Sequence, residues 1–263
     1  FRNQGNSYPT EKKNADIINI PSRFADFAAD IQIEFELAKV DPRGRATTGV
    51  IRKYTSVKAW EMNDDIKFAD TAGSNAWDAN SYLNIWVGNL SNLLGYASVI
   101  GAPAEKDGVV IATKAFRTIN TSAPFNLGRT AVHEVGHWLG LKHIWGDAYC
   151  GDDLVDDTPQ QRAFTSGCPT GVRVTCGSAN GDMYMNYMDF TNDACMYLFT
   201  HGQKERMRSL LSPGGFRHSL LASHAFGEPW LEEIPVVEAP PTYLQVKLFP
   251  NPASNSITID MQY

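Results

Sequence analysis

The chain has 263 residues, of which 43% are hydrophobic and 20% charged, with a formal net charge of -6, as is typical of a globular protein. The acidic balance argues against nucleic acid as a partner, since nucleic-acid binding needs a basic face. No apolar stretch approaches the 18 residues that a membrane-spanning helix requires. The sequence starts at Phe1 without a charged-then-apolar leader, so we expect any signal peptide or pro-segment to lie outside it.

The first half of the chain predicts a mixed sheet with helices packed on it. Apolar residues recur at helical spacing over residues 15–29, with Pro21 interrupting the pattern. Helical periodicity returns over residues 126–140 and 200–211. Alternating or continuous apolar runs predict strands over residues 31–37, 49–54, 81–87 and 107–112. This order of elements indicates an α/β (α+β) domain.

Three of the six histidines fall in one eleven-residue motif, HEVGHWLGLKH, at residues 133–143. On a helix, His133 and His137 lie one turn apart on the same face, so both imidazoles can bind one metal ion. Glu134 lies beside the first histidine, where it can reach a water molecule at the metal without binding the metal itself.

The third histidine can join the same ion only if the helix ends. Six further helical residues would carry His143 roughly 9 Å beyond His137, whereas two nitrogens on one zinc ion lie about 3–4 Å apart. Gly140 can adopt the left-handed conformation that reverses the chain. The pattern therefore predicts a catalytic zinc ion held by three neutral histidines, with the fourth position open for water. The alternative is an amphipathic helix whose histidines fall on one face by chance. The probability that the whole motif occurs by chance in a chain of this length is on the order of one in 10^5.

The cysteines indicate disulfide bonds. Cys150, Cys168, Cys176 and Cys195 all lie within 46 residues directly after the motif. They form no CxxC pair, which argues against a second, structural zinc site. Two disulfide bonds, rather than four free thiols, indicate an oxidising compartment. Four cysteines permit three pairings, and the spacing alone does not choose among them.

An acidic segment follows the motif within a stretch that lacks regular periodicity, residues 144–199. GDDLVDDTP, residues 151–159, places four carboxylates within six residues. This density is repulsive unless a cation shares it, and hard oxygen ligands favour calcium. A solvated acidic loop is the alternative interpretation.

Taken together, these residues resemble the metzincin zinc peptidases. HEVGHWLGLKH matches the zinc signature of that clan at every specified position. GDDLVDDTP, the four cysteines, NYMDF and the later FTHGQKERMR occur in the order typical of the pappalysin family, especially of its bacterial lysin branch. The resemblance covers roughly residues 8–215.

The resemblance implies a catalytic domain of two subdomains, in which a twisted mixed sheet with helices lies above an irregular, disulfide-bonded part. It also implies the pairs Cys150–Cys176 and Cys168–Cys195. Each pair would close a loop of about 27 residues and contribute about 3–4 kcal/mol to stability.

The resemblance further implies roles for residues after the motif. Asp153, Asp156 and Thr158 stand at the positions of the family's calcium site. Met188 stands at the position of the turn methionine, which in metzincins forms an apolar floor beneath the zinc-binding histidines.

Two positions depart from the family pattern. Several metzincins carry a tyrosine two residues after the turn methionine, where its hydroxyl helps to hold the transition state, and this sequence has Phe190 there. Members that prefer a basic residue after the scissile bond carry an aspartate just before the last cysteine, and this sequence has Ala194. The first departure puts the rate of hydrolysis in question, and the second the preference for Arg or Lys.

The composition changes after residue 226, where prolines and glutamates indicate a linker. The predicted divisions are a catalytic domain at 1–226 (upper part about 1–140, lower part about 141–226), a linker at 227–243 and a truncated β domain at 244–263. LFPNPASNSITI resembles the start of the sorting domain of type IX secretion in Bacteroidota, with an ordinary surface hairpin as the alternative.

The sequence thus predicts a secreted or cell-surface zinc endopeptidase that acts on protein or peptide substrates as a monomer, with calcium as a structural ion. Glu134 is assigned as the general base, and the strand Gly108–Ala112 as an upper rim that pairs with extended substrate. One alternative is a zinc-bearing but catalytically silent surface module. Another is a gluzincin-type peptidase with a downstream glutamate as third ligand, against which Gly140 and His143 argue.

Overall fold

The structure is a computed structural model that describes residues 20–116, 122–231, 245–249 and 258–262. A three-stranded sheet and three α-helices lie within the first two ranges. The strands are Ile85–Gly88 (β1), Gly95–Ala97 (β2) and Val109–Ala112 (β3), and the helices are Thr113–Phe116 (α1), Arg129–Trp138 (α2) and His201–Ser209 (α3). Short 3₁₀ helices are formed by Ser22–Phe27, Asp65–Lys67, Ala69–Thr71, Ala104–Lys106, Asp193–Cys195, His218–Ala222 and His224–Phe226. The predicted mixed α+β fold is confirmed.

β3 is the central strand of the sheet, between β1 and β2. It runs parallel to β1, with Val110 opposite Trp86, and antiparallel to β2, with Val110 opposite Tyr96. The prediction that Gly108–Ala112 forms a rim for substrate is therefore wrong, because both edges of β3 are already paired. β1 and β2 are the edge strands of this sheet, and β2 is the one that lies against α2.

β3 also separates two apolar cores, because successive side chains of a strand point to opposite faces. Val109 and Ile111 pack into the larger core together with α2, whereas Val110 and Ala112 pack into the smaller one. All four side chains are buried. The continuous apolar run that predicts this strand is explained by burial on both faces.

Two predicted strands are wrong: residues 31–37 and 49–54 belong to no strand in the described part of the chain. In the first, alternation does predict which side chains face the core, since Phe35 is half-buried against the larger core and Glu34 is exposed. Gln32, however, has a φ of 58°, in the left-handed region, which interrupts an extended strand. Alternation here reports side-chain burial without strand pairing.

The other predicted elements of the first half have shifted bounds. Of the helix predicted over residues 15–29, the part up to residue 19 lies outside the described residues, and Ser22–Phe27 forms a 3₁₀ helix after Pro21. β1 and β3 occupy the ends of the strands predicted over 81–87 and 107–112. β2 was not predicted, because three residues that begin with a glycine are too short to give a pattern.

α2 lies against β2 and β3 and carries the first two histidines of the motif. Its buried face includes Val135 and Trp138, which anchor the helix to the larger core. At its start, the Asp193 carboxylate accepts hydrogen bonds from the backbone N–H groups of Leu127 (2.8 Å) and Arg129 (3.2 Å). A residue distant in sequence therefore accepts hydrogen bonds from N–H groups that would have no partner in an isolated helix.

The segment between α2 and α3 has little regular structure, as predicted for residues 144–199, apart from one 3₁₀ helix. Disulfide bonds join Cys150 to Cys176 and Cys168 to Cys195, which are the pairs that the resemblance implies. Buried aspartates supply further order by accepting backbone hydrogen bonds, as Asp189 does from the N–H groups of Thr165 (2.7 Å) and Phe190 (2.8 Å). Covalent links and side-chain hydrogen bonds thus replace secondary structure here.

α3 confirms the helix predicted over residues 200–211. It begins with a capping box, in which the Thr200 hydroxyl accepts from the N–H of Gln203 (3.1 Å) and the Gln203 side chain accepts from the N–H of Thr200 (3.0 Å). Asp157 of the acidic segment accepts from the Thr200 hydroxyl (2.6 Å) and from the N–H of Gly202 (2.8 Å). The acidic segment is therefore fixed to the start of α3.

The strands Gln245–Phe249 (β4) and Thr258–Gln262 (β5) form the antiparallel hairpin predicted near the end of the sequence, with Leu248 opposite Ile259. The residues between these strands and most of the predicted linker lie outside the described residues. No helix in the described ranges is long and apolar enough to cross a membrane.

Candidate zinc site

The three histidines of the motif converge on one point. His133 and His137 project from the same face of α2, and their Nε2 atoms are 3.0 Å apart. The Nε2 atom of His143 is 3.1 Å from that of His137. Within the described ranges, only these three side chains form a group of three or more His, Cys, Asp or Glu residues whose ligand atoms lie within 4.8 Å of one another.

Each imidazole is held through its Nδ1 atom. His133 Nδ1 donates to the carbonyl oxygen of Tyr187 (2.6 Å), and His137 Nδ1 donates to that of Leu141 (2.9 Å). His143 Nδ1 donates to the Asp147 carboxylate (2.5 Å). Because these oxygens only accept hydrogen bonds, the proton resides on Nδ1 and the lone pair on Nε2 faces the shared point.

The electrostatics of the site favour neutral rings. Burial, followed by the charges of the neighbouring histidines, lowers the pKa of His133 well below its usual value. Burial and the charge of His143 lower the pKa of His137 to about 4. The lone pairs on Nε2 atoms that lie 3.0 and 3.1 Å from the central His137 repel its lone pair unless a cation lies between them. Three neutral imidazoles are a common ligand set for catalytic zinc. The residues therefore fit a zinc ion.

The chain reversal after α2 brings the third histidine back. The N–H of Gly140 donates to the carbonyl of His137 (2.8 Å) and the N–H of Leu141 donates to that of Gly136 (3.0 Å), which together form a Schellman motif. Gly140 has a φ of 85°, in the left-handed region that favours glycine. The predicted reversal at Gly140 is thus observed.

Met188 lies beneath the histidine-bearing helix and is fully buried. Its sulfur would lie 2.6 Å from a Cβ atom added at Gly136, so helix and methionine are in close contact. Its N–H donates to the side chain of Asn186 (2.9 Å), and its carbonyl accepts from the N–H of Ile144 (3.1 Å). One hydrogen bond therefore stabilises the methionine turn internally, and the other joins it to the segment that carries His143.

Glu134 is buried against β2, a neighbour that the sequence analysis does not predict. A Cβ atom added at Gly95 of β2 would lie 2.8 Å from Glu134 Cγ and 2.9 Å from Oε1. Burial raises the pKa of Glu134 to about 8. The only signal in the sequence was a glycine in a short apolar stretch, which marks a close approach of another chain segment.

Replacing Gly95 by alanine should displace Glu134, because the added methyl group would overlap the carboxyl group. We expect kcat of Gly95→Ala to fall about 100-fold, the effect of misplacing a reacting group by about 1 Å. Zinc content, measured by atomic absorption, should be unchanged because the three atoms nearest to the added methyl group belong to Glu134 and Val110 and not to a histidine. Ala97→Ser on the same strand is the matched control, and an equal loss of kcat in both variants would contradict this account.

An aromatic wall lies beside the histidines. Trp145 stacks on His143 with ring centroids 4.3 Å apart, and the ring of Phe190 is 4.8 Å from both of these rings. Phe164 packs against Trp145 and Phe190, at 5.9 and 5.6 Å. Phe190 and Phe164 are partly exposed, whereas Ala194 is exposed and carries no charge. Phe164 and Phe190 therefore give the site apolar surface on this side of His143.

The acidic segment brings together only part of the predicted calcium set. The Thr158 hydroxyl donates to Asp153 Oδ1 (2.7 Å), whereas Asp156 is exposed. Asp153 Oδ2 is buried and has no hydrogen-bond partner within the described residues. Burial raises the pKa of Asp153 to about 6, because its charge lacks compensation. An orphaned buried carboxylate oxygen of this kind fits a hard cation.

These features define the class of protein. The site of a metzincin zinc peptidase consists of a helix with two histidines, a chain reversal at a glycine, a third histidine and a buried methionine beneath them. All four are present, and the mixed α+β fold agrees with that class.

The particular family follows from comparison with known proteins. The profile of Peptidase_M43, described as Pregnancy-associated plasma protein-A, matches residues 67–212. The chain belongs to this family, as the resemblance of its motifs predicted, and it is a metalloendopeptidase.

Curated relatives and solved structures agree. An extracellular metalloprotease of Verticillium alfalfae is 37% identical over 212 residues, which cover 78% of this chain and 69% of that protein. An extracellular metalloprotease of Pyricularia oryzae is 45% identical over 126 residues, 46% of this chain and 44% of that protein. The structure of mature mirolysin of Tannerella forsythia in complex with a cleaved peptide superposes with a TM-score of 0.78 at 46% identity, covering 81% of this chain and 83% of that chain.

Proposed function

We propose that this zinc metalloendopeptidase hydrolyses peptide bonds with Glu134 as general base and with His133, His137 and His143 as the zinc ligands. The observation that carries the proposal is the convergence of the three Nε2 atoms, with the buried Glu134 directly after His133 on the same helix. Zinc, when bound, lowers the pKa of a water molecule and polarises a carbonyl group. All other steps fall to residues of the chain.

Glu134 accepts a proton from the attacking water and returns it to the leaving amine. Burial raises the pKa of this carboxyl group, which makes it a stronger proton acceptor than an exposed glutamate. Gly95 leaves the space that this carboxyl group occupies. The carbonyl of Tyr187 orients His133 through its Nδ1 atom, and the carboxylate of Asp147 orients His143 in the same way.

β2 supplies the edge on which extended substrate binds. Leu94 and Ser98, at either end of β2, hydrogen-bond to Ala112 and Gly108, so the alternation of an antiparallel pair turns the N–H and C=O groups of Gly95 and Ala97 away from β3. No strand within the described residues pairs with that edge. A peptide can add to it as a further strand, with its scissile bond beside Glu134.

The substrate side chains next to the scissile bond should be apolar. Phe190 and Phe164 offer apolar surface next to His143, and Ala194 provides no charge for a basic residue. We therefore propose that the enzyme prefers apolar residues there over Arg or Lys.

Removal of the metal tests the proposed function. We expect denatured casein to be cleaved by the purified chain and cleavage to fall by at least about 100-fold with 1,10-phenanthroline, because the ligands alone cannot activate water. Stoichiometric zinc added after dialysis should restore it. A chain that binds one zinc ion yet cleaves no peptide in a random library would instead support the silent surface module, for which the lack of a hydroxyl at Phe190 is the motivation.

We propose in addition that the acidic segment binds calcium through Asp153, Asp156 and Thr158. The orphaned Oδ2 atom of buried Asp153 supports this. Binding would bring exposed Asp156 towards Asp153 and relieve the uncompensated charge.

Calcium at about 100 times its dissociation constant should stabilise the fold by about 2.7 kcal/mol, which raises Tm by roughly 5–10 °C for a domain of this size. We expect Asp153→Asn to abolish this rise, whereas Asp152→Asn, an exposed neighbour, should keep it. Differential scanning calorimetry with and without calcium measures both. A rise of equal size in the Asp153 variant would rule out this site.

We also propose that the protein acts outside the cell. Two disulfide bonds require an oxidising compartment, and the names of the relatives describe extracellular proteins. The hairpin β4–β5 is proposed to begin a type IX sorting domain of a Bacteroidota protein. Secretion of a reporter fused to the complete C-terminal domain, and its loss in a type IX-deficient host, tests this point.

A further inference from the structure

The C-terminal end of α2 leaves carbonyl groups that its own backbone does not satisfy. The Schellman motif uses the carbonyls of Gly136 and His137. The carbonyls of Trp138 and Gly140 have no backbone donor in this motif, and they lie at the negative end of the helix dipole. These two groups belong to the turn that separates His137 from His143.

Arg217 satisfies the first of these carbonyls. Its Nε atom donates to Trp138 O (2.8 Å), and its guanidinium carbon lies 3.5 Å from the centre of the Trp138 ring. The same guanidinium makes two hydrogen bonds to the Asp107 carboxylate (2.7 and 3.0 Å), and Asp107 also accepts from the Ser98 hydroxyl (2.9 Å). Both charged residues are buried. Ser98 directly follows β2, so this network links the helix end to the sheet.

Arg206 satisfies the second carbonyl. It projects from α3, and its Nε atom donates to Gly140 O (2.6 Å) while Nη1 donates to Leu154 O (3.4 Å). Its helix is fixed in turn by Asp157 at its first residues and by Gln203, whose side chain exchanges two hydrogen bonds with that of Asn186 (2.8 and 3.1 Å). α3 is thus a rigid base from which Arg206 reaches the turn.

We propose that Arg206 and Arg217 are positioning residues for the third zinc ligand. Charge-assisted hydrogen bonds to Trp138 O and Gly140 O fix the direction in which the chain leaves α2. Only two residues separate Gly140 from His143, so a displaced turn carries that imidazole out of reach of the point shared by His133 and His137. The inference rests on the proposed zinc site, and it makes the segment that contains α3 and Arg217 part of the metal site rather than a separate support.

Arg206 is the residue to test, because it is half-buried and its loss leaves no buried charge unpaired, whereas loss of Arg217 would strand Asp107. Arg206→Met keeps the apolar stem and removes the donors. We expect its zinc dissociation constant, from competition with a chromophoric chelator, to rise about 10- to 100-fold, the usual effect of losing support for a ligand. The visible spectrum of the Co²⁺-substituted chain should change, and kcat should fall with KM retained.

Two further variants separate positioning from a general effect on the helix. Arg206→Lys, which retains a charged donor, should recover most of the zinc affinity. Arg208 lies two residues after Arg206 on α3 and donates to the carbonyl of Gln32 (3.1 Å) instead. Arg208→Met should therefore leave the zinc affinity and the Co²⁺ spectrum unchanged.

The outcomes are distinguishable from failure of the proposed function. If the parent chain binds no zinc and cleaves no peptide, the proposed function fails. If the parent binds zinc and cleaves peptides, but Arg206→Met has the parental zinc affinity and Co²⁺ spectrum, the positioning role is overturned. Equal losses in Arg206→Met and Arg208→Met would overturn it as well.

Discussion

Replacement of Glu134 by alanine should lower kcat/KM for peptide hydrolysis by about 10⁴-fold, the upper range of general-base catalysis. The reason is that the other carboxylate at the site, that of Asp147, is bonded to Nδ1 of His143, on the opposite side of the ring from Nε2, so it cannot take over the proton. The added space beside Gly95 admits water but supplies no base. Cleavage of a fluorogenic peptide at saturating zinc measures the effect.

The control for this variant is its zinc content. Glu134 is not a ligand in this proposal, so Glu134→Ala should still bind one zinc ion per chain, and Glu134→Gln should behave alike. Full activity in either variant would remove Glu134 from the mechanism. Loss of zinc together with activity would instead make Glu134 a ligand.

Local sequence patterns predicted the centre of the site because its chemistry is encoded within eleven residues. His133 and His137 need only a helix to point the same way, and Gly140 needs only a left-handed φ to end it. Both requirements are met by backbone geometry that short-range sequence determines. Met188 was accessible only through the resemblance, because one methionine has many roles in a core.

The supports of the site were not predictable in the same way, because they come from distant parts of the chain. Asp193 caps the start of α2 from 64 residues away in sequence, and Arg217 holds its end from 79 residues away. Gly95 matters only because β2 happens to lie against Glu134. No periodicity marks such residues, since each acts through a single tertiary contact.

The wrong predictions about strands have a related cause. Alternation over residues 31–37 reports that one side of an extended segment is half-buried, but pairing depends on where a neighbouring edge lies. The apolar run of β3 is compatible with a rim strand in the sequence alone, whereas its burial on both faces identifies a central strand. The distinction requires knowledge of β2, which is too short to predict.

The third ligand decides between the metzincin site and one in which a downstream glutamate binds the metal. In the described part of the chain, no glutamate joins the three histidines in a group that could hold a metal ion. The Nε2 atom of His143 is instead 3.1 Å from that of His137, and its Nδ1 atom is held by Asp147. His143 is therefore the side chain that the geometry assigns to the third position.

We accordingly expect His143→Ala to weaken zinc binding more than any other substitution outside α2. One third of a zinc-binding free energy of about 10–16 kcal/mol is about 3–5 kcal/mol, which corresponds to a dissociation constant raised by roughly 10²- to 10⁴-fold. Asp147→Ala, which only frees the ring, should raise it by about 10- to 100-fold. Chelator competition ranks the two variants. A parental dissociation constant in His143→Ala would return the third position to a carboxylate and refute the assignment, because a site that keeps its zinc without this imidazole must hold the ion through another residue.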